Sequence, residues 1–180
     1  VTYDGYHASS PLEVPGAKQV CVEFNTLSKS HNMAGWRVGF AVGNKEMIEA
    51  INLLQDHLFV SIFPAVQHAA AVALSDDQAC VEALVALYEG RRNTLIAECQ
   101  RIGWEVEAPK GSFFAWLPVP DGFTSETFAD FLLEKADVAV AAGNGFGSFG
   151  EGYIRIGLLV EEQRIKEAIQ RIEKLNIFPK

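Results

Sequence analysis

The chain has no long apolar run. Its apolar runs, such as residues 138–142, fall far short of the ~20 residues that a membrane span requires, so no bilayer anchor and no membrane partner are expected. It also has no basic stripe interleaved with aromatics. Lys and Arg number 15 against 23 Asp and Glu, a net charge of −8, and such a surface repels a phosphate backbone. Nucleic acid is therefore excluded as a partner, and small molecules are favoured. Cysteine is sparse: Cys21, Cys80 and Cys99 form an odd set without CxxC spacing, each in an apolar setting that suits a buried thiol. That usage fits a reducing, cytoplasmic compartment. His7, His31, His57 and His68 show no ligand spacing with one another or with the cysteines, so no metal site is expected. The first residue is Val1, and no charged segment followed by an apolar one suggests a signal peptide. The chain reads as cut from something longer. Internal repeats and low-complexity segments are missing as well.

What is present is enough for a packed core. The 180 residues are 49% hydrophobic and 21% charged, the mark of one large globular domain or two small ones. Residues 20–24 and 38–42 read as short apolar strands, with a polar loop over 25–37 between them. Asn44 is placed to cap a helix in which Met47, Ile51, Leu54 and Leu58 recur at helical spacing, a stripe expected to pack on the sheet. Pro64 opens a second helix through residue 74. Ser75 with Gln78 forms a capping-box start for a long helix reaching residue 102. Gly90, followed by Arg91 and Arg92, marks a bend, because glycine weakens a helix interior by roughly 1 kcal/mol relative to alanine. The domain boundary is placed there, giving 1–90 and 91–180. Beyond it come strands over 104–107, 113–117, 138–141 and 153–158, a helix over 125–136 and a final helix. That last helix carries Ile165, Ala168, Ile169, Ile172 and Leu175 on one face. Strands alternating with helices predict a small α/β or α+β unit.

The chemistry is concentrated just past the first strand, in Thr26-Leu27-Ser28-Lys29-Ser30-His31-Asn32-Met33-Ala34-Gly35-Trp36-Arg37-Val38-Gly39. Open α/β sheets bind ligands outside the carboxyl ends of their strands. A lysine there, dry and near a second cation, has its pKa pushed below the ~10.4 of a free side chain, and a neutral amine attacks aldehydes. Arg37 and the hydroxyls of Thr26 and Ser28 are suited to hold a phosphate by charge-assisted hydrogen bonds. Taken singly, Lys29 reads as a solvated surface lysine; the combined string changes that reading.

The string resembles the lysine signature of class I and II aminotransferases, the fold-type I enzymes that use pyridoxal 5'-phosphate (PLP). In that signature a small residue precedes the Schiff-base lysine and Gly-x-Arg follows at fixed spacing, here Ser28, Lys29, Gly35 and Arg37. Thr26 stands where many relatives have serine or glycine, and its hydroxyl keeps the phosphate-binding chemistry. Near the other end, Tyr153-Ile154-Arg155-Ile156 resembles the family strand whose arginine pairs with the substrate α-carboxylate, a task for which the planar guanidinium fork is suited. Pro109-Lys110-Gly111-Ser112-Phe113 resembles a further family segment, Pro-x-Gly-x-Phe.

The resemblance implies an α/β fold, the C-terminal part of the PLP-dependent transferase fold. Residues 1–90 are then the C-terminal part of the large PLP-binding domain and 91–180 the small C-terminal domain. It implies PLP as cofactor on Lys29, with Thr26, Ser28 and Arg37 on its phosphate and Arg155 on the substrate. The activity implied is transfer of an amino group between an amino acid and a 2-oxo acid, in a full-length homodimer. The same constellation serves PLP-dependent carbon-sulfur β-lyases, and a ligand-sensing domain of a transcriptional regulator stands as the non-enzymatic alternative. The family's glycine loop, ring-stacking aromatic, asparagine, tyrosine and pyridine-pairing aspartate lie upstream of its lysine. None has a clear counterpart before Lys29, and Tyr3, Asp4 and Tyr6 are not assigned to those roles, so the fragment alone is expected to be a poor catalyst. Gly145-x-Gly147-x-x-Gly150 matches the dinucleotide pattern formally, but a strand follows instead of a helix, so it is read as a flexible connection, one that could close over substrate.

Overall fold

In the computed structural model, residues 1–178 are described, and they form two compact units: His7–Leu84, and Val1–Tyr6 together with the chain from Val85 onward. The sequence boundary at residue 90 thus lies within the second unit, which also recruits the first six residues.

The first unit is built on an antiparallel strand pair, β1 (Val22–Thr26) and β2 (Gly39–Gly43), with Phe24 opposite Ala41 and Thr26 opposite Gly39. Both strands lie one or two residues later than the apolar runs suggested. The intervening segment contains a single helical turn, α1 (Leu27–Ser30), capped by the Thr26 side chain. Helix α2 (Lys45–Leu58) begins where expected, with the Asn44 carboxamide oxygen accepting the Met47 N–H at 2.9 Å, a cap that satisfies one of the orphan donors of the first turn. Its apolar stripe does not pack on the sheet as expected: no residue of α2 is buried, and Leu54 and Leu58 are more than half exposed. Among the described residues no layer opposes that face. Helix α3 (Pro64–Ser75) follows, with Pro64 in its first turn. The core of this unit is small: Leu27, Met33, Val38 and Ala70.

Helix α4 (Ala79–Arg101) is continuous through Gly90, so the expected bend is corrected. A Cβ at Gly90 would lie 2.9 Å from a carboxylate oxygen of Glu162, and the glycine is explained by that close approach. The expected Ser75 cap is also corrected. The Ser75 hydroxyl donates back to the Val72 carbonyl, whereas the Asp77 carboxylate accepts the Ala79 N–H at 3.1 Å. Asp77, two residues later, competes better for the first turn because a carboxylate is the stronger acceptor.

The second unit carries an antiparallel sheet in the order β3 (Phe114–Pro118), β5 (Tyr153–Gly157), β4 (Ala141–Ala142). Trp116 and Ala141 both face Arg155 in register. Side chains alternate across a strand, so Ala115, Leu117 and Ile154 enter the core from one face. There they meet α5 (Ser125–Ala136) and α6 (Glu162–Glu173) through Phe128, Leu132, Ile165, Ile169 and Ile172. The opposite face presents Phe114, Trp116, Tyr153 and Arg155.

Two expected strands change. Residues 104–107 are irregular: Trp104 is buried and its indole N–H donates to the Pro118 carbonyl at 2.9 Å, so its periodicity reports packing and not a ladder. The strand expected over 138–141 shrinks to the two residues of β4.

The first six residues are fastened to this unit. Thr2 bridges Gly111, the buried Tyr3 hydroxyl donates to the Ser112 carbonyl, and Asp4 takes both terminal nitrogens of Arg92, at 2.6 and 3.0 Å. Arg92 is 3% exposed and lies against the Tyr3 ring. Its hydrogen bonds hold the Asp4 carboxyl below the usual carboxylate range. That contribution is therefore full above the unfolded value and lost as pH falls through the lower folded one.

The glycine-rich stretch is not a flexible connection. It forms two short 3-10 turns, Gly143–Phe146 and Ser148–Gly150. A Cβ on Gly143 would lie 2.1 Å from the Gly150 carbonyl oxygen and 2.5 Å from that of Tyr153. Backbone cannot yield as a flexible side chain does. Gly143→Ala is expected to cost about 1–3 kcal/mol, the usual range for overpacking, read as a lowered midpoint in urea with an unchanged slope.

The expectation of three buried thiols holds for Cys99 alone, whose thiol is pushed up to about 12 by burial; Cys80 is exposed and Cys21 half-buried. Among the described residues no helix is long and apolar enough to cross a membrane.

Candidate functional site

The first unit brings four of the sequence-derived site residues onto one short connection. Thr26 ends β1, and its extended backbone turns directly into α1, so Ser28 and Lys29 sit on the first helical turn after the strand. The Thr26 hydroxyl accepts the Ser28 N–H at 3.1 Å and lies 2.8 Å from the Ser28 hydroxyl and 3.3 Å from the Val38 carbonyl. Thr26 is thereby the positioning group. Where Ser28 accepts the Thr26 proton, it keeps its own proton for an outside acceptor. Arg37 closes the connection in the left-handed region, φ 52°, and donates to the Ala34 carbonyl at 3.0 Å. A guanidinium has five N–H donors, so others remain for a ligand.

The expected dry setting for the amine is not what the chain shows. Lys29 and Arg37 are both exposed. The physical reason lies in the sheet beneath them, where Phe24 is 70% exposed and Phe40, Val42 and Trp36 are also exposed. The apolar layer that would exclude water is not supplied by the described residues.

A phosphate-bearing aldehyde needs an amine and several N–H or O–H donors. Two hydroxyls 2.8 Å apart, a primary amine on the residue next to one of them and an exposed guanidinium are a donor set that fits it.

Arg155 lies in the other unit, on β5. It is half-buried, with its guanidinium carbon 3.8 Å from the centre of the Phe146 ring and 4.1 Å from that of Phe114. Two aromatic rings against one guanidinium restrict its rotamers and favour its charge, leaving in-plane N–H donors for a partner. Sequence reasoning found Arg155 and missed both rings. The adjacent Phe113-Phe114 pair was legible, whereas Phe146 comes from the glycine-rich turn that had been read as flexible.

Tyr3 and Asp4, left unassigned from sequence, are accounted for by the buried lock on Arg92.

The site and fold define a class of protein, and comparison agrees: the chain belongs to the class I and II aminotransferase family, whose model matches residues 4–172. The α/β aminotransferase fold follows, and the family is PLP-dependent. Among relatives, the L-glutamine--4-(methylsulfanyl)-2-oxobutanoate aminotransferase of Bacillus subtilis is 64% identical over 178 residues, 99% of this chain and 45% of that one. The LL-diaminopimelate aminotransferase of Moorella thermoacetica is 43% identical over 175 residues, 97% of this chain and 45% of that one. Among solved structures, substrate-bound BacF of Bacillus subtilis superposes with a TM-score of 0.91 at 42% identity, covering 98% of this chain and 46% of that one. The aromatic aminotransferase of Pyrococcus horikoshii gives 0.91 at 32% identity, covering 97% and 47%. The chain thus spans a little under half the length of these relatives.

Proposed function

We propose that the full-length protein transfers an amino group from an amino acid to a 2-oxo acid, with Lys29 as the cofactor-bearing residue. The observation that carries this is the 64% identity, over nearly the whole chain, to an aminotransferase acting on L-glutamine and 4-(methylsulfanyl)-2-oxobutanoate. Those two compounds are the donor and acceptor we infer. The order of lysine connection, long helix and small sheet supports reading this stretch as the C-terminal part of the transferase, with the unit of residues 7–84 in the PLP-binding domain and the unit of residues 1–6 and 85 onward in the small domain.

Pyridoxal phosphate, when bound, supplies an aldehyde that condenses with amines and a ring that draws electrons from the amino-acid carbon. Ser28 would donate its hydroxyl hydrogen to the phosphate, with Thr26 orienting it, and Arg37 would add charge-assisted hydrogen bonds. Lys29 would hold and move the proton at the substrate α-carbon as a general base. Arg155 binds the α-carboxylate. The water exclusion that this chain does not give Lys29 is assigned to the remainder of the full-length protein. A homodimer and a cytoplasmic location complete the reading. The unburied stripe of Leu54 and Leu58 on α2, with Phe59 and Phe63 beyond it, supports a covered surface there.

Full-length protein incubated with PLP, reduced with borohydride and digested is expected to yield one modified peptide, carrying the label on Lys29 by mass spectrometry. Label on a different lysine removes Lys29 from the role.

A further inference from the structure

The open face of the β3–β5–β4 sheet has more on it than Arg155. Beside the guanidinium lies a cavity of about 350 Å³ lined by Trp116, Phe146, Phe149, Gly150 and Tyr153, within the size range of small-molecule sites. Its walls are aromatic on several sides. Trp116 meets Phe146 edge-on at 5.6 Å and Tyr153 at 6.4 Å, so the rings brace one another instead of collapsing into the space. Phe149 is fully exposed at the tip of the second 3-10 turn, which costs free energy in water unless something covers it. Phe146 belongs to both features: it lies against the Arg155 guanidinium and walls the cavity. A cationic fork and an aromatic recess therefore share one ring.

We propose that this recess is the specificity site for the side chain of the carboxylate that Arg155 binds, and that it selects an unbranched, thioether-bearing chain. Several considerations favour that ligand. The recess has no charged lining residue, so it offers nothing to an acidic or basic side chain. Aromatic ring edges and faces attract a polarisable sulfur about 5 Å away. A flexible chain of two methylenes and a methylsulfanyl group can start at a carboxylate-bearing carbon and bend past Phe146. The proposal rests on the reading of Arg155 as the carboxylate ligand and adds what lies beside it. Glutamine, the donor, must then bind with its amide toward the open side of the recess.

The test uses the PLP-loaded full-length protein and two unreactive acids, 4-(methylsulfanyl)butanoate and butanoate, titrated by calorimetry. Wild type is expected to bind the thioether acid about tenfold more tightly, as an extra apolar segment in a matched pocket implies. Trp116→Ala and Phe149→Ser should each erase most of that ratio, and Trp116→Phe should restore it. Phe149 makes no buried contact, so its replacement leaves folding intact. Arg155→Ala should weaken both acids equally. In turnover, Phe149→Ser should raise KM for 4-(methylsulfanyl)-2-oxobutanoate several-fold while leaving KM for pyruvate within about twofold. A thioether preference that survives Trp116→Ala and Phe149→Ser together overturns the recess. Binding of both acids undiminished by Arg155→Ala overturns the carboxylate assignment itself, a separate failure.

Discussion

Lys29→Ala in the full-length protein is expected to lower turnover by at least about three orders of magnitude, because in the proposed role one side chain both carries the cofactor and moves the proton. Circular dichroism should not change and the unfolding free energy should stay within about 1 kcal/mol of wild type, since Lys29 is exposed and lies outside the buried set of Leu27, Met33, Val38 and Ala70. Added primary amines of small size should restore part of the rate by taking the proton in its place. A variant retaining more than a tenth of wild-type turnover would show that the amine on this turn is not the reacting one.

The largest stability effect is expected at the other unit, from Phe128→Ala. Phe128 is fully buried on α5, edge-on to Trp104 at 5.9 Å and 5.3 Å from Phe123. Truncating a buried phenyl ring costs about 3–5 kcal/mol, transfer and cavity together. At roughly 2–4 °C per kcal/mol for a chain of this size, the transition reported by Trp104 fluorescence should fall by about 6–20 °C. A Phe149→Ala control, at the fully exposed ring, should stay within about 0.5 kcal/mol of wild type. Equal losses at the two positions would mean that the buried cluster is not what holds this unit.

Much of this architecture can be read along the chain, and the exceptions share a cause. Helices α2, α3 and α5 begin close to where their capping residues or first-turn proline place them, because those signals are local. What fails is whatever depends on a distant neighbour. The run at 104–107 alternates because Trp104 is buried while no strand pairs with it. Gly90 looks like a break until Glu162, seventy-two residues on, occupies the space a side chain would need. For the site, Lys29, Ser28, Thr26 and Arg37 belong to one local pattern on a single connection and are proposed together. The dry environment expected of them is not local: it depends on a layer over Phe24 and Phe40 that no spacing within this stretch encodes. Phe146 escapes notice for the same reason, being recruited to Arg155 from a glycine-rich turn.

The fastening of Tyr3 and Asp4 onto Ser112 and Arg92 gives the fold a built-in timetable. Residues 1–6 have their anchorage about a hundred residues later in the chain, so during synthesis they cannot take up these contacts while 7–84 consolidates. Closing so long a loop is slow relative to local turns. The moment Arg92 and Ser112 emerge is thus the earliest at which residues 1–6 can settle on this unit.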